Sequence, residues 1–223
     1  MRESGDIHNI IATSDGLENL IEKIGDEKII GVDLEADSMY HFKEKVCLIQ
    51  MAAPNINVLI DPLAVKDLSL LKPIFKRSDI CKIFHGADYD VRSLYRDFRI
   101  TIHNLFDTEL ASRFLGFPET GLEAVLKKKF AVSLDKKFQR KDWSRRPLPP
   151  GMIAYAAEDV RYLLPLAESL KAELDEKNRL EAGLPGFAEN TWRAGLDRLI
   201  LGYAMPGQNR SMFHGIVPYD NIE

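Results

Sequence analysis

The stretch "SDGLENLIEKIG" has Leu17, Leu20, Ile21 and Ile24 at helical spacing, with Gly25 as a stop. The period then changes. "KIIGVDLEA", "KVCLIQMAA" and "INVLI" are three short β-rich runs. A polar, aromatic link at residues 39–43 joins the first two, and Asn55 sits in a tight turn between the second and third. This spacing predicts a meander of three antiparallel strands. "LSLLKPIFK" predicts a short helix bent near Pro73, and "ICKIF" a fourth strand. "ADYDVRSLYRDF" predicts an amphipathic helix built on Ala87, Val91, Leu94 and Phe98, and "HNLFD" a fifth strand. Beyond it the pattern is helical: "DTELASRFLG", "GLEAVLKKKF" and the long "PPGMIAYAAEDVRYLLPLAESLKAELDEKN", which Pro165 is expected to kink or split.

A meander followed by strands that cross over through helices predicts an α/β domain. Its sheet is mixed and five-stranded, three strands antiparallel and then parallel, with helices on both faces. The 223 residues are enough for one domain with a sizeable core, assigned here to residues 1–180. From about Glu181 the chain loosens into Gly and Pro; a helix fits residues 187–201, and the last twenty residues read as an extended tail. No apolar run approaches the ~18 residues of a membrane span. The N-terminus lacks a charged-then-apolar export pattern, and Cys47 and Cys81 sit in apolar runs as small buried hydrophobes, so a reducing, cytoplasmic setting is expected.

The net charge of −4 does not suggest a nucleic-acid binder, but it hides an asymmetry. Between residues 127 and 146 nine bases stand against two acids, a local charge of +7, and the rest of the chain carries −11. Local charge decides whether a polyanion is attracted. A solvated basic face explains the run equally well.

Inside the first strand, "GVDLEAD" carries Asp33 and Glu35. Side chains at i and i+2 point the same way, so two carboxylates share a face, with Val32 and Leu34 on the other. Like charges so placed raise each other's pKa unless a cation stands between them. Taken alone, such a pair on an edge strand simply faces water. Later acids change that reading. Asp90 opens a helix that directly follows a strand, and Tyr155 and Asp159 are four apart on one side of a helical turn. Four carboxylates meeting at one end of a sheet are strongly destabilising without divalent cations. With two Mg²⁺ or Mn²⁺ ions they form a site for in-line phosphoryl displacement, and the absence of a Cys or His cluster argues against zinc. The Tyr155 hydroxyl is placed to orient the attacking water.

The order Asp-x-Glu, then Asp, then Tyr-x-x-x-Asp resembles the DEDD superfamily of 3′-to-5′ exonucleases, in its tyrosine branch. "GVDLEAD", "HGADYDVRSLYRDF" and "YAAEDVRYLLPL" look like its three motifs. "FDTELASRFLG" and "FQRKDWSRRPLPPGMIAYAAEDV" are similar to segments of ribonuclease D. The resemblance implies a ribonuclease-H-like fold, two metals held by Asp33, Glu35, Asp90 and Asp159, and Tyr155 as the water-positioning group. Asp88 rivals Asp90: helix geometry does not separate them, and the family's His-to-Asp spacing picks Asp90. Glu158 is expected to face solvent and Asp37 to be rim charge. The helical HRDC domains that follow the nuclease in ribonuclease D do not fit after Glu181.

The implied substrate is single-stranded nucleic acid, RNA favoured, cut to nucleoside 5′-monophosphates. DNA, very short oligonucleotides, or binding without catalysis are the alternatives. The basic run precedes the third motif, so Gln139, Lys141, Trp143 and Arg146 are candidates for holding the strand. A base stacking on Trp143 competes with Trp143 packing beneath the loop, and the packing role is favoured. Met39, Tyr40 and Phe42 either wedge near the terminal bases or join the core. His85 reads as a hydrogen-bonder beside the site, and Gln50 as a buried amide bridging to the site or to backbone.

Overall fold

The computed structural model describes residues 9–182. Six strands and seven helices alternate: β1 (Asn9–Ile11), α1 (Ser14–Ile24), β2 (Ile29–Ala36), β3 (Val46–Ala53), β4 (Ile56–Ile60), α2 (Leu71–Lys76), β5 (Cys81–Phe84), α3 (Asp88–Phe98), β6 (Leu105–Asp107), α4 (Thr108–Phe114), α5 (Leu122–Phe130), α6 (Pro150–Arg161) and α7 (Leu163–Ala182). The sheet order is β1-β4-β3-β2-β5-β6. β2, β3 and β4 form the expected antiparallel meander, and β5 and β6 join parallel beside β2. Asn55 turns β3 into β4 with φ 61°.

Six strands replace the expected five. β1 lies parallel to β4 at the sheet edge. Three residues are too few to show a period of two, so the strand exists only through its pairing. Pro73 and Pro165 sit at the third residue of α2 and of α7. A first-turn N–H has no intrahelical partner to lose, so Pro73 does not bend α2 as expected. The long C-terminal segment is split as expected, at Tyr162, one turn before Pro165, whose ring has no place above the Arg161 carbonyl of a continuous helix. The helix expected at residues 187–201 and the tail lie outside the described residues.

The alternation of β2 separates two cores. Ile30, Val32 and Leu34 pack with Leu17, Leu20, Ile24, Phe75 and Leu94 under α1, α2 and α3. The opposite face of the sheet is covered by α6 and α7. Gly31 lies on that face, and a Cβ there would stand 3.0 Å from Leu164 and 3.2 Å from Leu163. Glycine thus lets α7 press onto the sheet at the point where Asp33 and Glu35 follow on the same face.

Candidate active site

Asp33 and Glu35 lie on the central strand β2, on the side covered by α6. Asp159 comes from α6, buried at 8% exposure, and Asp90 from the first turn of α3, buried at 7%. The four acids act on one another. Burial raises the Asp33 carboxyl to about 6. Burial, and then Asp33, raise Asp159 to about 8. Glu35 is pushed well above its ordinary value by burial and then by Asp33, Asp159 and Asp90. Asp90 rises likewise through burial, Asp33, Asp107 and Asp88. Among the described residues none of the four has a basic partner at ion-pair distance. Like charges brought together without a counter-ion fit a site built for a cation. Among the same residues no three Asp, Glu, His or Cys side chains already converge as a metal-ligand group.

Burial separates the two acids of α3. Asp90 is buried, whereas Asp88 is half-buried and ion-paired to Arg92 one turn on. Glu158 pairs with Arg161 at 2.8 Å; it is half-buried and borders the cleft beside Tyr155 rather than simply facing solvent. Asp37 departs from its expected role. It is fully buried, accepting from the Lys45 backbone N–H at 2.8 Å and from the Lys45 ammonium. Burial raises its pKa, but the Lys45 hydrogen bonds and charge outweigh that and hold it below the usual value. It is a structural clasp, not rim charge.

Tyr155 stands one turn before Asp159 on α6, and the two groups interact electrostatically. Burial, then the Asp159, Glu35 and Asp33 charges, raise its hydroxyl further above the ordinary value, so it stays protonated. Its ring is braced by Phe138 (edge-on, centroids 6.0 Å apart) and by Trp143 (6.1 Å). Phe138 itself packs over Gly151, where a Cβ would come within 2.9 Å of the ring. Beside them a cleft of about 330 Å³ opens, lined by Ser133, Leu134, Phe138, Ala154, Tyr155 and Asp159 among others.

The candidate strand-binding residues divide. Trp143 is 1% exposed, so it cannot present a ring face to a base; it packs beneath the loop with Leu48, Leu59 and Met152. Arg146 is also committed inward. It makes two bonds to Asp61 (2.6 and 2.8 Å) and others to the carbonyls of Cys47, Trp143 and Arg145, which leaves it poorly placed to hold a phosphate. Gln139 and Lys141 are exposed. Gln50 pairs across the ladder with Asp33, is wholly buried, and has no hydrogen-bond partner for either amide atom. An unpaired buried amide costs about 1–3 kcal/mol, so its position beside Asp33 is a further sign of a site with unfilled polar demand. The His85 Nδ1 lies 2.9 Å from the Thr108 hydroxyl, and burial lowers its pKa. Of the cysteines, Cys47 is buried and Cys81 half-buried.

Asp107 escaped the sequence reading. Its carboxylate caps α4 at Glu109 and Leu110 and also accepts from the Gly86 and Ala87 N–H groups, both at 2.9 Å. It thereby fixes the loop that launches α3 and Asp90. Gly86 takes φ +75° in that loop, a conformation that side chains resist. The Asp-Thr-Glu string ahead of a helical run was the available signal, and it reveals only the cap.

The chain is similar in sequence and fold to known proteins. The sequence model of the 3′-5′ exonuclease family matches residues 8–175. A second, for the fourth domain of the RecBCD enzyme subunit RecC, matches residues 166–223. The chain is 39% identical over 175 residues to Protein RRP6-like 3 of Arabidopsis thaliana, covering 78% of this chain and 20% of that protein. It spans about a fifth of the length of the curated relatives it matches. The catalytic core of RRP6 from Trypanosoma brucei superposes with TM-score 0.75 at 35% identity, covering 80% of this chain and 50% of that one. Escherichia coli RNase D, an exoribonuclease involved in structured RNA processing, superposes with TM-score 0.73 at 31% identity, covering 86% and 50%. The fold is thus that of the ribonuclease-H-like exonucleases, and the chain belongs to the 3′-5′ exonuclease family, in its RRP6 and RNase D group.

Proposed function

We propose that this protein is a divalent-metal-dependent 3′-to-5′ exoribonuclease that trims single-stranded RNA ends to nucleoside 5′-monophosphates. The observation that carries the reading is the set of four buried or half-buried carboxylates on β2, α3 and α6, all raised by burial and three of them raised further by Asp33, with no basic partner among the described residues. Asp33, Glu35, Asp90 and Asp159 would hold two Mg²⁺ or Mn²⁺ ions, which when bound neutralise the carboxylates and the scissile phosphate and activate water for in-line displacement. Hard oxygen donors suit those ions.

Tyr155 acts by position. Its hydroxyl, held protonated beside Asp159, offers its lone pairs to a water, so it orients the nucleophile rather than taking its proton. Phe138 and Trp143 hold that ring still. The cleft beside Tyr155 is of nucleotide size and supports a terminal nucleotide lying there. RNA is favoured because the similar RNase D is an exoribonuclease.

The test uses RNA and DNA single strands labelled at the 5′ end, with Mg²⁺ or Mn²⁺, beside EDTA and Asp33→Asn controls. The expected result is a metal-dependent ladder shortening from the 3′ end, stronger on RNA and absent in the variant. Binding without cleavage in any metal would overturn the catalytic assignment.

A further inference from the structure

The loop between β2 and β3 is tightly built. The Tyr40 and His41 N–H groups donate to the Asp37 carbonyl at 2.8 and 3.0 Å, and the Asp37 side chain clasps Lys45. On its other side the loop is tied to a segment a hundred residues later. The Tyr40 hydroxyl donates to the Arg140 carbonyl at 2.8 Å, and the His41 Nε2 meets the Ser144 hydroxyl at 3.3 Å. Out of this clamped frame Phe42 stands wholly exposed, with Met39 at 65%. A loop free to collapse would bury such a ring, since exposed apolar surface is unfavourable.

The neighbouring cations are equally uncommitted. Arg145 is paired to Asp142 and Arg146 to Asp61, but Arg140 and Lys141 are exposed and enter no ion pair among the described residues. The loop leaves the sheet directly after β2, the strand that carries Asp33 and Glu35.

We propose that these two tied segments form a single-strand docking surface, on which an unpaired base upstream of the 3′-terminal nucleotide stacks on Phe42 while flanking phosphates meet Arg140 and Lys141. The inference rests on the exonuclease reading and adds where the strand upstream of its terminal nucleotide lies and which side chains hold it. A ring offered edge to edge with cations takes any base, because every base has a π-face. A duplex hides those faces, so the surface selects unpaired strands. The cations make the contact salt-dependent.

The experiment has two arms. In EDTA, fluorescence anisotropy measures binding of a labelled RNA single strand of about ten nucleotides to wild type, Phe42→Ala, Phe42→Trp and Arg140→Ala/Lys141→Ala. With Mn²⁺, kcat/KM is measured on the same strand and on a dinucleotide. Phe42→Ala is expected to weaken strand binding roughly five- to a hundredfold, and Phe42→Trp to restore it. The double variant should flatten the plot of log affinity against log salt by about 1.4. The loss in kcat/KM for Phe42→Ala should be several times larger on the long strand than on the dinucleotide. Unchanged binding by Phe42→Ala, equal losses on both substrates, or no strand binding by wild type would each overturn the proposal. If wild type binds the strand and cleaves nothing, the exonuclease reading fails while the binding comparison still decides the surface.

Discussion

Two sets of buried acids belong to this fold, and they differ in what answers them. Asp37 is met by Lys45 and Asp61 by Arg146. In both, burial pushes the pKa up and the basic partner more than reverses it. Asp90 and Asp159 are buried to a similar extent, have no basic partner among the described residues, and are raised. Burial therefore does not mark the candidate site; the missing counter-charge does. A buried acid with its own base is a joint of the fold, and a buried acid facing acids waits for a cation from outside.

The largest expected effect breaks the unanswered set. Asp33→Asn or Asp159→Asn should lower kcat roughly a thousandfold or more, with an unchanged circular dichroism spectrum. A fully active variant would remove that carboxylate from the site. Next, Tyr155→Phe should cost roughly a hundredfold in kcat with KM nearly unchanged. A rise in KM at constant kcat would make Tyr155 a binding group instead. The answered set should behave in the opposite way. Arg146→Met strands Asp61 and should cost about 2 kcal/mol in urea unfolding, the usual penalty reduced for its partial exposure. Unchanged stability would show the pair to be dispensable.

The smallest effect has the most diagnostic sign. Asp33 and Asp159 have native pKa values of about 6 and about 8, above the ordinary 3.8, so the native state keeps protons that the unfolded chain gives up. Metal-free stability is then full below pH 4 and is lost as pH rises through about 6 and about 8. In EDTA above that range, Asp159→Asn should be more stable than wild type by about 1–2 kcal/mol, or about 2–4 °C in Tm per kcal/mol. Mg²⁺ or Mn²⁺ should raise the wild-type Tm and narrow that gap. A destabilised variant in EDTA would mean that Asp159 is answered after all.

Much of this was legible along the chain because period-two alternation is local. Val32 and Leu34 against Asp33 and Glu35 divide into core and site with no tertiary information, and the i,i+4 spacing of Tyr155 and Asp159 does the same on α6. Asp37, expected as rim charge, was not legible in this way. β2 ends at Ala36, and the ladder skips Cys47 between Leu48 and Val46, so the next acid follows the turn and not the strand. β1 was invisible because three residues carry no period. Trp143 packs beneath the loop, the role favoured for it, while Arg146 was a candidate phosphate contact because a basic run gives charge but not direction.

The sequence by itself determined the elements, the face on which each acid lies, and the order of the acids, since all of these depend on neighbours within a few residues. Only the tertiary structure decided which acids have partners. Lys45 reaches Asp37 across eight residues and Arg146 reaches Asp61 across 85. It also tied Tyr40 to Arg140, setting exposed rings beside unpaired cations. Electrostatic compensation depends on distance in space, and folding sets that distance between positions whose separation along the chain says nothing about it.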